Sequence, residues 1–100
     1  MPDYLTLDAQ HPSDDLDHAV RFTKWLPSDD TIASCAVSVS AGLNLGTSSK
    51  APLIAGPNIV FWLSGGESGQ EYYVQVTAET SQGRRKIVDG AILILDPTPL

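Results

Sequence analysis

The sequence has 100 residues, with twelve acidic and six basic side chains and a formal net charge of −6. This charge argues against nucleic acid as a main partner, because binding to phosphates needs a concentrated basic surface. The length predicts one domain, the single cysteine, Cys35, excludes an intramolecular disulfide, and no apolar run approaches the ~20 residues that cross a bilayer. We therefore expect a domain that folds in a reducing cytoplasm and does not enter a membrane.

Residues 1–15 are polar, contain two prolines and show no sustained periodicity. They are predicted to form an extended N-terminal arm, because a long structureless segment is unusual inside a compact domain. The large apolar residues of this arm are Tyr4, Leu5 and Leu7. We expect these three residues to contact the domain or a neighbouring protein.

Two strands with alternating apolar residues are predicted next. The first spans residues 16–25 and places Val20 and Phe22 on one face. The second spans residues 31–40, and its apolar face includes Cys35. We interpret Cys35 as a small buried hydrophobic residue rather than a reactive thiol.

The middle of the chain is expected to contain weaker strands. One spans residues 43–49, with Gly46 at a bend or a bulge. The segment 53–55 forms at most a short edge strand, because Pro52 and Pro57 cannot donate to a ladder.

The stretch 58–78 is predicted to form a strand, a glycine loop and a second strand. In the second strand, Tyr72, Val74 and Val76 share one face, as is typical of a strand with one face on a core. A tyrosine near the start of a strand, directly after a glycine loop, is also typical of the tyrosine corner of immunoglobulin-like sandwiches.

Two predicted strands are apolar on both faces, at residues 59–63 and 91–95. A sandwich strand normally buries one face only, so an arm, a tail, a loop or another subunit must cover the other face. Large exposed apolar patches usually mark protein–protein interfaces. The candidate interface residues in these strands are Ile59, Phe61, Leu63, Leu93 and Leu95.

Regularly spaced strands with turn signals between them predict an all-β fold. The specific prediction is an immunoglobulin-like antiparallel β-sandwich of about seven strands over residues 16–95, followed by a short C-terminal tail, 96–100. The predicted core contains Val20, Phe22, Trp25, Trp62, Tyr72, Val74 and Val76.

Three groups of residues could suggest chemistry, and each is more simply explained as structure. Residues 65–70 lack the lysine of a phosphate loop and the Gly-x-Ser-x-Gly spacing of a nucleophile elbow, so we predict a tight connection. His11, His18 and the acids at 14–17 lack the fixed spacing of a metal site. The basic run 84–86 is expected to be a solvated hairpin tip, with a local anion site as the alternative. We therefore predict no enzymatic activity, no metal and no cofactor.

Residues from about Leu16 to Leu95 resemble a family of small virion proteins of tailed bacteriophages, often labelled fibre–tail adaptor or tail and neck accessory proteins. The order and spacing of several short motifs carry the resemblance. These motifs are Asp17, Val20 to Leu26, Asp30-Thr-Ile-Ala-Ser34, Gly42-Leu43, Val60-x-Trp62-Leu-Ser-Gly-Gly66, Gly69, Tyr72-x-Val74 and Gly83-Arg84.

The resemblance implies a non-enzymatic structural protein that binds in several copies at the neck or tail and attaches fibres or neighbouring tail proteins. Its implied partners are other virion proteins, with no nucleic acid and no membrane, and it would fold in the host cytoplasm before assembly. Two alternatives stay open at this point. One is a carbohydrate-binding β-sandwich that stacks host glycans on Trp25, Trp62 or Tyr73, and the other is a capsid decoration protein.

Overall fold

The computed structural model describes residues 4–7 and 9–95, and for residues 4–6 it describes the backbone only. Within these ranges the chain forms eight strands and one short 3-10 helix, Ser48–Lys50. The strands are β1 (Tyr4–Thr6), β2 (Asp15–Arg21), β3 (Ile32–Val39), β4 (Leu43–Leu45), β5 (Leu53–Ala55), β6 (Asn58–Gly65), β7 (Glu71–Thr80) and β8 (Arg85–Leu93).

The strands are arranged in two sheets. The first sheet has the order β1-β8-β7-β3, in which β1 runs parallel to β8 and the other neighbours are antiparallel. The second has the order β2-β6-β4, and β5 pairs with the remaining part of the same edge of β6. The predicted all-β class is confirmed, with β1 as a strand beyond the seven or so expected.

The core lies between the two sheets and takes alternate residues from each strand. From β7 it receives Tyr72, Val74 and Val76, and from the second sheet it receives Val20. Phe22, just beyond β2, is also buried, and the Trp25 ring meets it edge-on with the centroids 6.2 Å apart. Trp25 itself is only partly buried against this core.

The inward and outward faces of β6 are the reverse of those that the sequence predicted. Ile59, Phe61 and Leu63 have no accessible surface and fill the centre of the core, so they cannot be the interface residues that the sequence predicted. The ladder with β2 explains this orientation, since it places Val20 opposite Ile59 and therefore on the same face. The intervening Trp62, predicted to be in the core, lies on the outer face and is partly buried.

The N-terminal segment is part of the domain rather than a separate arm. Strand β1 pairs with β8, the Leu7 N–H donates to the Ala91 carbonyl over 2.9 Å, and Leu7 packs partly buried against the core. The buried Gln10 side chain donates from Nε2 to the Leu63 carbonyl over 2.9 Å. The predicted boundary after residue 15 is therefore corrected, because these bonds satisfy backbone groups of β6 and β8 that need a partner when buried.

Some of the predicted contacts fall outside the described part of the chain. The side chains of Tyr4 and Leu5 lie outside it, and so does the predicted C-terminal tail, residues 96–100. Those assignments stay predictions.

Tyr72 joins two connections at one end of the sandwich. Its hydroxyl oxygen accepts a hydrogen bond of 2.8 Å from the Glu67 N–H, five residues upstream, as the tyrosine of a tyrosine corner does. A Cβ added at Gly42 or at Gly66 would lie only 2.9 Å from the Tyr72 ring, and both glycines have a positive φ. The ring therefore fills a space that exists only because both turns use glycine. The immunoglobulin-like topology stays a prediction, which the Tyr72 bond supports.

We expect Gly66→Ala to destabilise the protein more than Gly69→Ala. Both positions have a φ near +90° and share the backbone strain of an L residue, about 1–3 kcal/mol. Only the Gly66 substitution also clashes, because its Cβ would lie 2.7 Å from Ile94 Cγ1, whereas nothing lies within 4 Å of the Gly69 position. Urea denaturation would measure the difference, and equal midpoints for the two variants would contradict the packing account of Gly66.

We expect Gln10→Ala to reduce the free energy of unfolding by about 1–3 kcal/mol, because the buried Leu63 carbonyl loses its side-chain donor. Gln75→Ala is the control: the exposed Gln75 amide donates to Asp89 Oδ1 at 3.0 Å, whereas the Gln10 amide bonds to Leu63, Asp14 and His18. A surface change of this kind is expected to stay within about 0.5 kcal/mol. An unaltered melting temperature for Gln10→Ala would show that the N-terminal segment is not integral to the domain.

Candidate interaction surfaces

The Asp30 carboxylate connects the β2–β3 loop to the turn between β7 and β8. It is buried and accepts hydrogen bonds from the Thr31 N–H at 2.8 Å, the Ser81 hydroxyl at 3.1 Å and the Gln82 N–H at 3.3 Å. Arg84 completes the group with an ion pair of 2.7 Å from Nη1 to Oδ2. One buried charge is thus satisfied by donors from both connections.

The surroundings of Asp30 set its pKa. Burial raises the pKa of this carboxyl, and hydrogen bonds from Thr80, Arg84, Thr31 and Ser81 outweigh burial and lower the pKa to about 2, from an ordinary value of 3.8. The carboxylate is therefore ionised and fully bonded at neutral pH. Such a group stabilises the loops around it and is poorly suited to proton transfer at neutral pH, where a catalytic pKa lies near the working pH.

Two of the three basic residues in the run 84–86 are paired with acids of the domain. Arg84 pairs with Asp30, and Arg85 Nη2 lies 2.8 Å from Glu79 Oε1 in an exposed cross-strand pair. Both guanidinium groups are therefore neutralised within the domain. Position 84 is part of the loop-anchoring network rather than a simple solvated tip.

A depression of about 560 Å³ lies beside Asp30, between the β2–β3 loop and the β5–β6 turn. Its walls are mainly apolar, from Leu26, Pro27, Ile32 and Pro57. Among the described residues that line it, Asp30 is the one carboxylate, and its oxygens are already bonded to the protein. The described lining therefore presents no free acid or base for chemistry.

Both histidines form hydrogen bonds within the domain. His18 Nε2 lies 2.9 Å from Gln10 Oε1, and the His18 ring stacks on Phe61 with centroids 6.0 Å apart. His11 Nδ1 accepts from the Ser13 N–H over 2.9 Å. Across residues 4–7 and 9–95, no group of three or more His, Cys, Asp or Glu side chains is placed to hold a metal ion.

The Trp62 surface, formed by Ala19, Leu53, Val60 and Trp62, is an apolar part of the outer face of the second sheet. Ala19 and Leu53 flank Val60 on the two neighbouring strands, and Leu53 is 47% exposed. The Lys50 ammonium lies 4.9 Å from the centre of the Trp62 ring and also pairs with Asp15. An apolar centre with an aromatic anchor and a charged rim is typical of protein–protein interfaces.

The Leu93 surface, formed by Tyr73, Leu93 and Leu95, lies on the outer side of the first sheet near the end of β8. Tyr73 is 57% exposed and faces Ala91 across the ladder, two residues before Leu93. Leu93 and Leu95 are 39% and 41% exposed. Of the predicted interface residues, these two leucines are the ones that the structure places at the surface with described side chains.

The sequence did not identify Val60 and Leu53 as surface candidates. The available signal was the run of apolar residues at 59–63, which indicated that one face of β6 would be left over. Because every residue of the run is apolar, alternation could not show which set points outward.

The aromatic side chains that the structure describes are not gathered into one platform. Trp25 packs on Phe22, Trp62 lies on the outside of the second sheet, and Tyr73 lies on the outside of the first. A glycan that stacks on two rings needs both on one surface. The geometry therefore does not favour the carbohydrate-binding alternative.

Comparison with known protein families gives a match over most of the chain. The sequence profile of a family described as podophage GP4 fiber-tail adaptor protein gp77 matches residues 10–93. No curated protein matches the chain. In the part of the chain that the structure describes, no helix is long and apolar enough to span a membrane.

We expect Asp30→Asn to lower the melting temperature at pH 7, with a difference from the native protein that shrinks as the pH falls from about 4 to about 2. The pKa of Asp30 is lower in the folded state, so its stabilising contribution is complete above the unfolded value and is lost as the pH falls through the folded value. Thermal unfolding across this pH range measures the effect.

The control is Asp29→Asn, at the exposed neighbouring position. Its side chain should contribute little to stability, and its melting temperature should stay near that of the native protein at each pH. A pH-independent difference for Asp30→Asn would contradict the assigned role of the ionised carboxylate.

Proposed function

The chain belongs to the podophage GP4 fiber-tail adaptor protein family, and we propose from this membership that it is a structural adaptor of a phage tail. In this proposal several copies bind at the neck or tail and attach fibres or neighbouring tail proteins. The observation that carries the proposal is the family match over residues 10–93, which includes every strand from β2 to β8.

The two outer surfaces support an adaptor role because an adaptor must hold two partners at once. The Trp62 surface lies on the second sheet and the Leu93 surface lies on the first, so they face away from each other. Two proteins could therefore bind without competing for the same residues. We propose that one surface binds the tail and the other binds a fibre or a neighbouring tail protein.

The Trp62 surface has the features of the stronger contact. Tryptophan is among the residues that contribute most to binding energy when a partner excludes water from it. Trp62 lies opposite Asp17 on β2, so it borders both the apolar residues of this surface and its charged rim. Lys50 and Asp15 sit at the rim with each side chain 43% exposed, where charges contribute to orientation and association rate more than to affinity.

The proposed role requires no catalysis and no cofactor. Asp30, a described carboxylate with a lowered pKa, forms hydrogen bonds and an ion pair with its neighbours and anchors two loops. We propose that the protein folds in the bacterial host cytoplasm and is then incorporated into the virion, with tail or neck proteins as its partners.

A direct test is to purify virions of the phage that encodes the chain and to treat them with an amine-reactive crosslinker. Mass spectrometry should find the chain in the particles, crosslinked to a tail, neck or fibre protein. Presence in infected cells combined with absence from purified particles would overturn the proposed role. Crosslinks to the major capsid protein alone would instead favour capsid decoration.

We expect Leu53→Asp and Leu93→Asp each to abolish one of the two contacts, because a carboxylate in a desolvated apolar interface has no partner. Particles assembled with each variant would be analysed for the amounts of the chain and of fibre. The loss of tail contact removes both the chain and the fibre, whereas the loss of fibre contact removes only the fibre.

Ile87→Asp is the matched control for Leu93→Asp. Ile87 lies on the same outer face of β8, is 42% exposed, and lies six residues from Leu93, outside the Leu93 surface. Particles with Ile87→Asp should have normal composition. Normal particles with both Leu53→Asp and Leu93→Asp would count against the two-surface arrangement.

A further inference from the structure

The two sheets have long edge strands that differ in how well they are protected. Among the described residues, β2 pairs with β6 only and β3 pairs with β7 only. An edge strand presents unpaired N–H and C=O groups, and proteins usually protect such edges with charges, proline or bulges. Strand β2 has this protection, since three of its seven residues, Asp15, Asp17 and Arg21, are charged.

Strand β3 lacks most of this protection. Its eight residues, Ile-Ala-Ser-Cys-Ala-Val-Ser-Val, include no charged residue and no proline. One irregularity in the ladder with β7 lies between Ile32 and Ser34, at the start of the strand. The remaining six residues, 34–39, pair regularly with β7 and form an uncharged edge.

The inward side of β3 is incompletely covered. Cys35, Val37 and Val39 pack against the core but are only partly buried, unlike their neighbours Val74, Val76 and Ala78 on β7. An additional strand beside β3 would cover these three side chains. Its own inward residues would have to be apolar to match them.

The outward side of β3 presents small side chains. Ser34, Ala36 and Ser38 are exposed and lie opposite Glu79, Thr77 and Gln75 of β7. Because these side chains are small, they do not block another strand from pairing with β3. The edge is therefore accessible as well as unprotected.

We propose that β3 pairs antiparallel with β3 of a second copy of this chain, about a two-fold axis perpendicular to the first sheet. The two four-stranded sheets would then form one continuous sheet. This symmetry keeps the inward faces of both copies on the same side. Cys35, Val37 and Val39 of one copy would therefore meet the same apolar set of the other.

The β3 strand matches a second copy of itself, because it is uncharged and its inward residues are all apolar. Two chains with a net charge of −6 repel each other, so their association is least opposed where no like charges face each other. Strand β3 meets this condition, whereas self-pairing of β2 would bring together Asp15 and Asp17 of both copies. An isologous contact through β3 adds backbone hydrogen bonds without placing any charged side chains of the two strands opposite each other.

The pairing would link copies of the adaptor in pairs while the Trp62 surface, on the other sheet, stays free. It rests on the proposed function only in that an adaptor acts in several copies. The test uses the isolated protein and no virions, so the pairing and the adaptor role can fail independently.

The experiment measures self-association of the purified full chain by sedimentation velocity over about a hundredfold range of concentration. Hydrogen exchange with mass spectrometry at the two ends of this range locates the contact. We expect a reversible dimer and slower exchange of the amides of residues 34–39 at high concentration, with unchanged exchange in β2.

Ala36→Lys should raise the dimer dissociation constant by about tenfold or more, because the symmetric contact brings the two lysines close together. Ser13→Lys is the control, since Ser13 is exposed, lies just before the other long edge strand, β2, and is outside the Trp62 and Leu93 surfaces. Its dissociation constant should equal that of the native chain. Ser38→Lys serves as a second β3 variant, and melting temperatures verify that each variant is folded.

Several results would overturn the proposal. These are a native chain that stays monomeric throughout, a dimer that leaves the exchange of β3 unchanged, and folded β3 variants that dimerise as well as the native chain. A loss of dimer in Ser13→Lys equal to that in Ala36→Lys would also overturn it, because it would show that the effect does not depend on β3.

Discussion

Pairing with β6 is the constraint on which the second sheet depends. Strands β2, β4 and β5 all form their ladders with β6. The orientation of β6 therefore fixes the orientation of every neighbour, since residues directly opposite in a ladder point to the same face. With Ile59, Phe61 and Leu63 inward, the core receives three large side chains without accessible surface, and Val60 and Trp62 form the outer face.

The two ends of the sandwich are held by different interactions. At one end, the Tyr72 ring packs against Gly42 and Gly66 and its hydroxyl accepts the Glu67 N–H, which joins the β3–β4 and β6–β7 connections. At the other end, the Asp30 carboxylate joins the β2–β3 loop to the β7–β8 turn. Packing and a satisfied buried charge therefore fix the connections at the two ends of the sandwich. The residues that do this lie outside the Trp62 and Leu93 surfaces.

The proposed adaptor role depends on the two outer faces of the sandwich, and the proposed pairing depends on the edge of β3. The Trp62 and Leu93 surfaces lie on opposite sheets, and the uncharged edge of β3 points sideways from the first sheet. The three sites therefore point in different directions, which suits a protein whose proposed work is to hold other proteins together. The Asp30 carboxylate, whose pKa is lowered to about 2, anchors two loops.

The sequence by itself determined the all-β class, the inward face of β7 and the fact that both faces of β6 carry apolar residues. Period-2 alternation identifies a buried face wherever apolar and polar residues alternate, as they do from Tyr72 to Ala78. Only the tertiary structure decided which face of β6 is buried, because residues 59–63 are all apolar and the pairing of Val20 with Ile59 made the choice. It also decided that the N-terminal segment belongs to the domain, since the bonds of Leu7 and Gln10 join residues more than fifty positions apart in the chain. Contacts over such separations leave no periodic signal in the sequence.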